Sequence, residues 1–331
     1  GDTGSALSRR NTSVKTATSM AESPPSKAAW AKREERGSVW LLRFMAWLAS
    51  TLGRRVARLV LHPITAYFVL FSPAARRNSI RYLRRALGRE PSWADGYRHV
   101  HTFASIVLDR LYFARGDAAQ FDLRHSGGEQ LDAALAQGQG AVMLGAHLGS
   151  FEALQAVGEQ HANRRIAMVM YPANAQNIQR VLNAVAPANT LKIITIGNPG
   201  TTLAIRDWLD GGGLVGMLGD RVLQEGKNQG DVQRLPFLGH DAPFGLGPLR
   251  LAMLLKRRVF FMTALFRGGN RYEVRFEPLA DFSERPADAA AREAQLHAAL
   301  QGYVAKLEAL CVEAPYNWFN FHDFWLDEAP H

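Results

Sequence analysis

The residues best suited to chemistry in this chain are His147 and Glu152, which lie five positions apart. His147 lies in a turn of small residues after the apolar run 141–144, and Glu152 opens a segment with a helical pattern. A short apolar run before such a turn is typical of a buried strand, so the turn places the imidazole at that strand's end. On a single regular helix, this spacing puts the two side chains on different faces. They meet only if Glu152 lies in the first helical turn, where the helix dipole also favours a carboxylate.

A histidine beside a carboxylate is a pair that enzymes use to take a proton from a hydroxyl group. The imidazole accepts the proton as a general base, and the carboxylate orients the ring and stabilises the imidazolium. The sequence therefore predicts that His147 is the base and that Glu152 is its partner. The alternative is that His147 is a turn residue that caps the following helix.

A second strand end supplies further polar residues. Asp220 and Arg221 follow the predicted strand 214–218. The carboxyl ends of parallel strands meet at one edge of a sheet, where ligands gather, so we expect both side chains near His147. The guanidinium of Arg221 is suited to a phosphate or phosphopantetheine group. The alternative is a surface Asp–Arg pair.

The stretch 235–251 is apolar and contains several glycines, which let a backbone pass close to a ligand. We interpret it as the wall of a site for a fatty acyl chain, with Phe237 and Gly239 as candidate contacts. An ordinary core loop would have a similar composition.

Together these motifs resemble the lysophospholipid acyltransferase superfamily, and within it the bacterial lipid A late acyltransferases. The resemblance covers roughly residues 38–325 and rests on the His-x4-Glu spacing, the acidic residue after a strand at Asp220, and the stretch 235–251 before a Gly-Pro helix start. It implies an acyltransferase that moves a fatty acyl group from an acyl carrier protein or coenzyme A thioester to a hydroxyl of a lipid or saccharolipid. His147 and Glu152 match the family's catalytic pair. No cofactor or metal ion is expected.

The second sequence block departs from the lipid A enzymes, which place an arginine between a tyrosine and a proline. Here the strand ends in Met-Tyr-Pro-Ala-Asn at residues 170–174, without that arginine. Asn174 becomes the candidate contact to a polar acceptor. The missing arginine disfavours a phosphorylated lipid A acceptor and favours a divergent subgroup that acts on another lipid, sugar or polyene hydroxyl.

Strands alternate with helices of about ten residues after residue 116, a pattern typical of an α/β layered domain. We expect residues 116–331 to form the acyltransferase domain, with a central, mostly parallel or mixed sheet flanked by helices, and the resemblance implies a glycerol-3-phosphate acyltransferase-like fold. Strands are predicted at 141–146, 166–171, 192–196, 214–218, 259–266 and 272–277, and helices at 128–137, 151–160, 177–185, 201–210, 246–255 and 287–312.

The N-terminal part of the chain has a different composition. Residues 1–37 are rich in Ser, Thr, Ala and basic residues, so we expect disorder. Residues 38–115 are predicted to be helical and to associate with a membrane, because the stretch 39–72 is rich in aromatic residues and arginine and lacks acidic residues. A helix packed on the domain is the alternative. The expected location is the cytoplasmic face of a bacterial inner membrane.

Charge and cysteine content limit the other functional classes. Residues 1–100 hold 18 Lys and Arg against 6 Asp and Glu, which indicates an anionic partner such as phospholipid. A membrane- or nucleic-acid-binding module would explain that charge but not the placement of His147, and no zinc spacing or phosphate-binding loop supports nucleic acid. A serine hydrolase is disfavoured because Ser150 lies in HLGSF rather than Gly-x-Ser-x-Gly. The single cysteine, Cys311, permits no internal disulfide and is expected to be a packed thiol.

Overall fold

A seven-stranded sheet forms the centre of the computed structural model, which describes Trp47 and residues 51–160, 165–172, 175–176, 192–222 and 231–325. The predicted disordered segment 1–37 and the predicted helix 177–185 lie outside the described residues. The strands are β1 (Asp122–Ser126), β2 (Val142–Gly145), β3 (Ile166–Met170), β4 (Lys192–Thr195), β5 (Leu214–Leu218), β6 (Val232–Phe237), β7 (His240–Gly245), β8 (Arg258–Phe266) and β9 (Arg271–Asp281).

The sheet has the order β1-β9-β8-β2-β5-β3-β4, and β6 and β7 form a separate antiparallel hairpin. All neighbouring strands of the large sheet are parallel except β8 and β9. The predicted α/β class with a mostly parallel sheet is therefore confirmed. The hairpin includes the first part of the stretch 235–251, where no strand was predicted.

Eight α-helices accompany the sheet in the described part of the chain. They are α1 (Thr51–Phe71), α2 (Pro73–Leu87), α3 (Trp93–Ala114), α4 (Gly128–Leu135), α5 (Phe151–Gln160), α6 (Thr201–Asp210), α7 (Gly247–Leu254) and α8 (Ala289–Glu313). Residues 42–331 belong to one compact unit, so α1–α3 pack with the α/β part. Among the described helices none alone has the length and apolar character to cross a bilayer, whereas α1 and α2 taken together do but bend by 95° where they meet.

Strands β2 and β5 are short apolar runs at the middle of the sheet. All four residues of β2 are buried, as are the first four of β5, as expected for parallel strands covered on both faces. The two strands pair in register, with Gly145 opposite Leu218. His147 and Asp220 each lie two residues beyond that last pair. The register of the sheet therefore brings these two residues side by side at its carboxyl edge.

Candidate active site

The imidazole of His147 forms a hydrogen bond with a buried carboxylate at the carboxyl edge of the sheet. Its Nδ1 lies 2.9 Å from Oδ1 of Asp220, and its backbone N–H donates to the other oxygen, Oδ2, at 2.9 Å. The Asp220 side chain is 2% exposed, whereas that of His147 is 29% exposed. The Nδ1 edge of the imidazole is thus fixed by the protein, and part of the side chain is exposed to solvent.

This contact determines which nitrogen of a neutral His147 carries the proton. A carboxylate only accepts hydrogen bonds, so Nδ1 must be the donor toward Asp220. The lone pair of the neutral ring is then on Nε2, on the side away from Asp220. A ring in this tautomer can accept a proton at Nε2 while Asp220 stabilises the resulting positive charge, as in the catalytic triads of hydrolases.

Asp220 also accepts a hydrogen bond from the indole of Trp318, whose Nε1 lies 2.8 Å from Oδ2. Burial by itself raises the pKa of the Asp220 carboxyl. The nearby His147 charge and the hydrogen bonds from His147 and Trp318 outweigh that effect and lower the pKa to about 2. Asp220 is therefore a carboxylate at neutral pH, although it is almost fully enclosed.

The turn that carries His147 is held by residues that follow α8, here called the C-terminal segment (residues 314–325). The backbone N–H of Phe319 donates to the carbonyl of His147 at 2.8 Å, and the N–H of Gly149 donates to the carbonyl of Asn317 at 2.9 Å. Leu148 and Trp318 form an isolated antiparallel bridge. These contacts fix the backbone on both sides of the imidazole.

Strand β8 holds the same turn from its other side. Gly149 has a φ of +75°, and a Cβ atom built there would lie 2.0 Å from the carbonyl oxygen of Ala264. The N–H of Ser150 donates to that same oxygen at 2.9 Å. Only glycine fits position 149, because any side chain would meet the backbone of β8.

A comparison with protein-family models matches residues 29–327 to the bacterial lipid A biosynthesis acyltransferases. The chain belongs to this family. The match spans the whole sheet, the His147 turn and the whole C-terminal segment. No individual curated protein matches the sequence. The protein is therefore a lipid acyltransferase, and the resemblance drawn from the motifs is confirmed.

Glu152 does not take the place in this acyltransferase that its spacing predicts. Its Oε1 forms an ion pair with Nε of Arg110 on α3 at 2.6 Å, and Oε2 accepts a hydrogen bond from the Ser150 hydroxyl at 3.2 Å. The carboxylate on Nδ1 of His147 comes from Asp220 instead. Glu152 was predicted to orient the imidazole, but in the structure the in-register pairing of β2 with β5 puts Asp220 on Nδ1, and Glu152 contacts Arg110 of α3. A catalytic role of Glu152 stays a prediction.

The Ser150 hydroxyl caps the start of helix α5. Its hydroxyl oxygen accepts a hydrogen bond from the N–H of Ala153 at 3.2 Å at the start of α5, and the hydroxyl donates to Glu152. Such a cap satisfies one of the free N–H groups of the first helical turn. Its two hydrogen bonds are thus both local to the start of α5.

The remaining predicted site residues lie in different surroundings. Arg221 follows Asp220 directly and is exposed, so it lies at the same edge as His147. The Phe237 ring is fully buried, with its centroid 5.3 Å from the ring of Trp318. Gly239, with a φ of +79°, lies in the turn of the β6–β7 hairpin. Asn174 lies outside the described residues. Contact of any of these residues with substrate stays a prediction.

The sequence did not single out Trp318 or Arg110, although both bind a candidate catalytic carboxylate. Trp318 is one of several aromatic residues in its stretch, and no local pattern says which of them faces the sheet edge. Arg110 is one of two arginines on α3. The described residues contain no group of three His, Cys, Asp or Glu side chains able to hold a metal ion.

Proposed function

We propose that this acyltransferase moves a fatty acyl group from the thioester of an acyl carrier protein or coenzyme A to a hydroxyl of a lipid, saccharolipid or polyene-type acceptor. His147 is the general base and Asp220 holds it in the productive tautomer. The observation that supports this most directly is the 2.9 Å hydrogen bond between His147 Nδ1 and Asp220 Oδ1, which leaves Nε2 for the acceptor hydroxyl.

The reaction proceeds without a covalent acyl-enzyme. Nε2 of His147 takes the proton of the acceptor hydroxyl as its oxygen attacks the thioester carbonyl carbon. The tetrahedral intermediate then collapses, the carbon–sulfur bond breaks, and the imidazolium returns the proton to the leaving thiolate. The products are an ester and a free thiol. Asp220 stabilises the imidazolium while it exists, and a positioned base of this kind contributes about 10²–10⁴ in rate.

Glu152 has a second, weaker role in this proposal. Its ion pair with Arg110 ties the first turn of α5 to α3, and that turn begins directly after the His147 turn. We assign Glu152 to holding this end of the site and not to proton transfer. Arg221 is the candidate contact to a phosphate of the phosphopantetheine arm, and Asn174 is the candidate contact to the acceptor.

An assay with the full chain tests this proposal. Acyl carrier protein and coenzyme A thioesters with a labelled acyl group are incubated with vesicles that contain a saccharolipid or a hydroxylated polyene, and label in esters and in free fatty acid is measured. His147→Ala should lower ester formation by about 10³ or more, because the base is removed. His240→Ala, an exposed histidine at the start of β7, is the control and should leave it unchanged. Label mainly in free fatty acid would support a thioester hydrolase instead.

We also propose that helix α1 binds the membrane surface at the cytoplasmic face of the inner membrane. Most large hydrophobic side chains exposed in the described residues lie on or just before this helix: Trp47, Leu52, Val56, Leu59, Tyr67, Phe68, Leu70 and Phe71. Surfaces this apolar are rare on soluble proteins unless they bind something. An interfacial helix that buries one apolar face in the headgroup region fits this composition.

Two of the three arginines of α1 support the same orientation. Arg54 forms two hydrogen bonds of 2.7 Å with the buried carboxylate of Asp109, and Arg58 donates to the carbonyl of Gly269 at 3.1 Å. These two cations therefore face the protein, whereas the third arginine of the helix, Arg55, and the hydrophobic side chains named above are exposed. A soluble surface helix shows the opposite distribution.

Vesicle sedimentation tests the membrane proposal. Leu59→Glu combined with Phe71→Glu should weaken binding to vesicles of phosphatidylethanolamine and phosphatidylglycerol by about tenfold or more, since each buried hydrophobic side chain contributes about 1.5 kcal/mol or more. Leu203→Glu combined with Val312→Glu alters exposed residues on α6 and α8 and is the matched control. Equal binding by the two double variants would contradict the proposal.

A further inference from the structure

We propose that Trp318 is a positioning residue of the acyl transfer reaction, in which its indole N–H holds the Asp220 carboxylate turned toward His147. This inference rests on the proposed function, because it assigns Trp318 a part in preparing the base. Trp318 itself does not contact substrate in this proposal.

The two oxygens of the Asp220 carboxylate accept hydrogen bonds from different donors. Oδ2 accepts from two fixed donors, the indole N–H of Trp318 at 2.8 Å and the backbone N–H of His147 at 2.9 Å. Oδ1 is then left for Nδ1 of His147 at 2.9 Å. Without the indole donor, a single backbone N–H would set the rotation of the carboxylate. The plane of the carboxylate, and with it the direction of the imidazole, would be less well defined.

The indole of Trp318 is itself held firmly in place. Its side chain is fully buried, and its ring packs edge to face against Tyr82, Phe237 and Phe324 with centroids 4.9, 5.3 and 4.9 Å away. Such aromatic contacts define both the position and the tilt of a ring. The indole N–H is therefore a pre-oriented donor that does not need to reorganise during the reaction.

The backbone of Trp318 is tied to helices α2 and α3. Nε2 of His99 lies 2.8 Å from the Trp318 carbonyl oxygen, and Nδ1 of His99 lies 2.7 Å from the Ser79 hydroxyl. The carbonyl can only accept, so Nε2 carries the proton and Nδ1 accepts from Ser79. A chain of hydrogen bonds thus runs from α2 through α3 and Trp318 to Asp220 and His147.

A second tryptophan of the C-terminal segment provides the comparison that separates positioning from packing. Trp325 is also buried, at 2% exposure, and its Nε1 donates to the backbone carbonyl of Phe237 at 3.4 Å. Both residues fill the same aromatic cluster. Only Trp318 directs its N–H to a charged group, where a hydrogen bond is about twice as strong as between neutral groups.

Other ionisable groups also face this pair and remain in place in the variants. Arg221 follows Asp220 at the strand end, His322 lies on the C-terminal segment near both His147 and Asp220, and Tyr303 and Cys311 of α8 lie close to Asp220. These groups are present in all the variants. A difference between variants in the pH dependence of kcat/KM therefore reports the loss of the indole N–H.

The test compares Trp318→Phe with Trp325→Phe in the full chain. Trp318→benzothienylalanine, in which sulfur replaces the indole N–H without changing the ring shape, keeps the test valid if Trp318→Phe does not fold. We expect the Trp318 variants to lower kcat about tenfold with KM for the thioester within about twofold, because one hydrogen bond to a charged group is lost. Trp325→Phe should stay within about threefold of the unchanged protein.

The pH dependence of kcat/KM is a measurement that loss of packing alone would not change. Without the indole donor, Asp220 is a stronger base and holds the imidazolium more tightly. The acid limb of the kcat/KM profile should then move to higher pH by about half a unit or more in the Trp318 variants, but not in Trp325→Phe. The titration midpoint of His147 in nitrogen NMR should move in the same direction, with His147→Gln used to assign the signal.

The outcomes distinguish this inference from the proposed function. Equal rate losses and unmoved titrations in the Trp318 and Trp325 variants would overturn the positioning role while leaving the acyl transfer proposal intact. A moved His147 titration in a protein that transfers no acyl group would support the role of Trp318 toward Asp220 and count against the proposed reaction. A shift of the acid limb to lower pH would also overturn the inference, because it would mean that the contact between Asp220 and His147 had been lost.

Discussion

The substitution Asp220→Asn tests the central contact of the site, because it removes a charge without changing the size of the side chain. Three donors converge on this carboxylate: the backbone N–H of His147 and the indole N–H of Trp318 on Oδ2, and Nδ1 of His147 on Oδ1. An asparagine has one acceptor oxygen and one NH₂ group. Its oxygen is expected to take the Oδ2 position, where two donors meet, so that the NH₂ group faces Nδ1 of His147.

That arrangement forces the imidazole into the unproductive tautomer. Nδ1 must accept from the amide, and the proton moves to Nε2, which can then no longer act as a base. In serine proteases, the same change at the triad aspartate lowers kcat about 10⁴-fold. We expect a kcat loss of about 10³–10⁴ for Asp220→Asn, with little change in KM, measured as ester formation from a labelled thioester.

The change also has a measurable effect on stability. The pKa of Asp220 is lowered to about 2 in the folded state, compared with an ordinary value near 4. The carboxylate therefore contributes about 2–3 kcal/mol to the free energy of unfolding at neutral pH, and this contribution is lost as the pH falls from about 4 to about 2. Urea unfolding of Asp220→Asn should show this loss at pH 7 and a shrinking difference from the unchanged protein below pH 4.

Two matched variants make the result decisive. Asp109→Asn removes another fully buried carboxylate, which binds Arg54 and Tyr272, and should lower stability without a comparable loss of kcat. Glu152→Gln weakens the ion pair with Arg110 and should lower kcat by about tenfold only. If Asp220→Asn kept more than about a tenth of the activity, or if Glu152→Gln were the more damaging change, the assignment of the Nδ1 partner would be refuted.

Two further predictions concern the scaffold. Gly149→Ala should destabilise the fold by about 2–4 kcal/mol and abolish activity, because its Cβ would meet the backbone of Ala264. Gly239→Ala also has a positive φ but open space around it, so it should cost only about 1–2 kcal/mol for the left-handed backbone and lower the melting temperature less. Burial lowers the pKa of His99 to about 4, so this group destabilises the fold as the pH falls below 6.5, by about 3 kcal/mol at pH 4. Burial also lowers the pKa of His101 to about 4. The pH dependence of urea unfolding between pH 6.5 and 4 should therefore flatten in both His99→Gln and His101→Gln, and slopes equal to that of the unchanged protein would contradict this.

Local signals predicted the elements that carry the site. Helix α5 begins at Phe151 and ends at Gln160, and β5 and α6 also have the predicted bounds, because small-residue turns separate apolar runs at these points. Strands β8 and β9, predicted at 259–266 and 272–277, pair antiparallel across a glycine-containing turn. Cys311 is a buried free cysteine whose pKa is raised by burial, as expected for a packed thiol.

Two strand regions were not predicted because their sequences lack the usual pattern. Strand β1 is Asp-Leu-Arg-His-Ser, a mostly polar stretch at the sheet edge, where pairing with β9 rather than hydrophobic alternation defines the strand. The β6–β7 hairpin contains Pro236 and Pro243, which argue against a strand in sequence. Both prolines are tolerated because each strand of a two-stranded ribbon has an outer edge without ladder hydrogen bonds, where the missing N–H of proline costs nothing.

The partner of His147 could not be assigned from the sequence for a related reason. The spacing to Glu152 is a local signal, whereas Asp220 reaches the imidazole only through the in-register pairing of β2 with β5. Which residues of two strands lie opposite each other depends on the packing of the whole sheet. The contact from Trp318 depends in addition on the path of the C-terminal segment after α8.

The bridge between Leu148 and Trp318 has a consequence for how the enzyme matures during synthesis. A chain stopped before residue 318 already contains the complete His-x4-Glu motif and every strand of the sheet. It nevertheless lacks the backbone and indole donors that fix the His147 turn and Asp220. On the proposed mechanism, a growing polypeptide completes the surroundings of His147 only after nearly all of the fold has been made, so chains released before residue 318 should not transfer acyl groups.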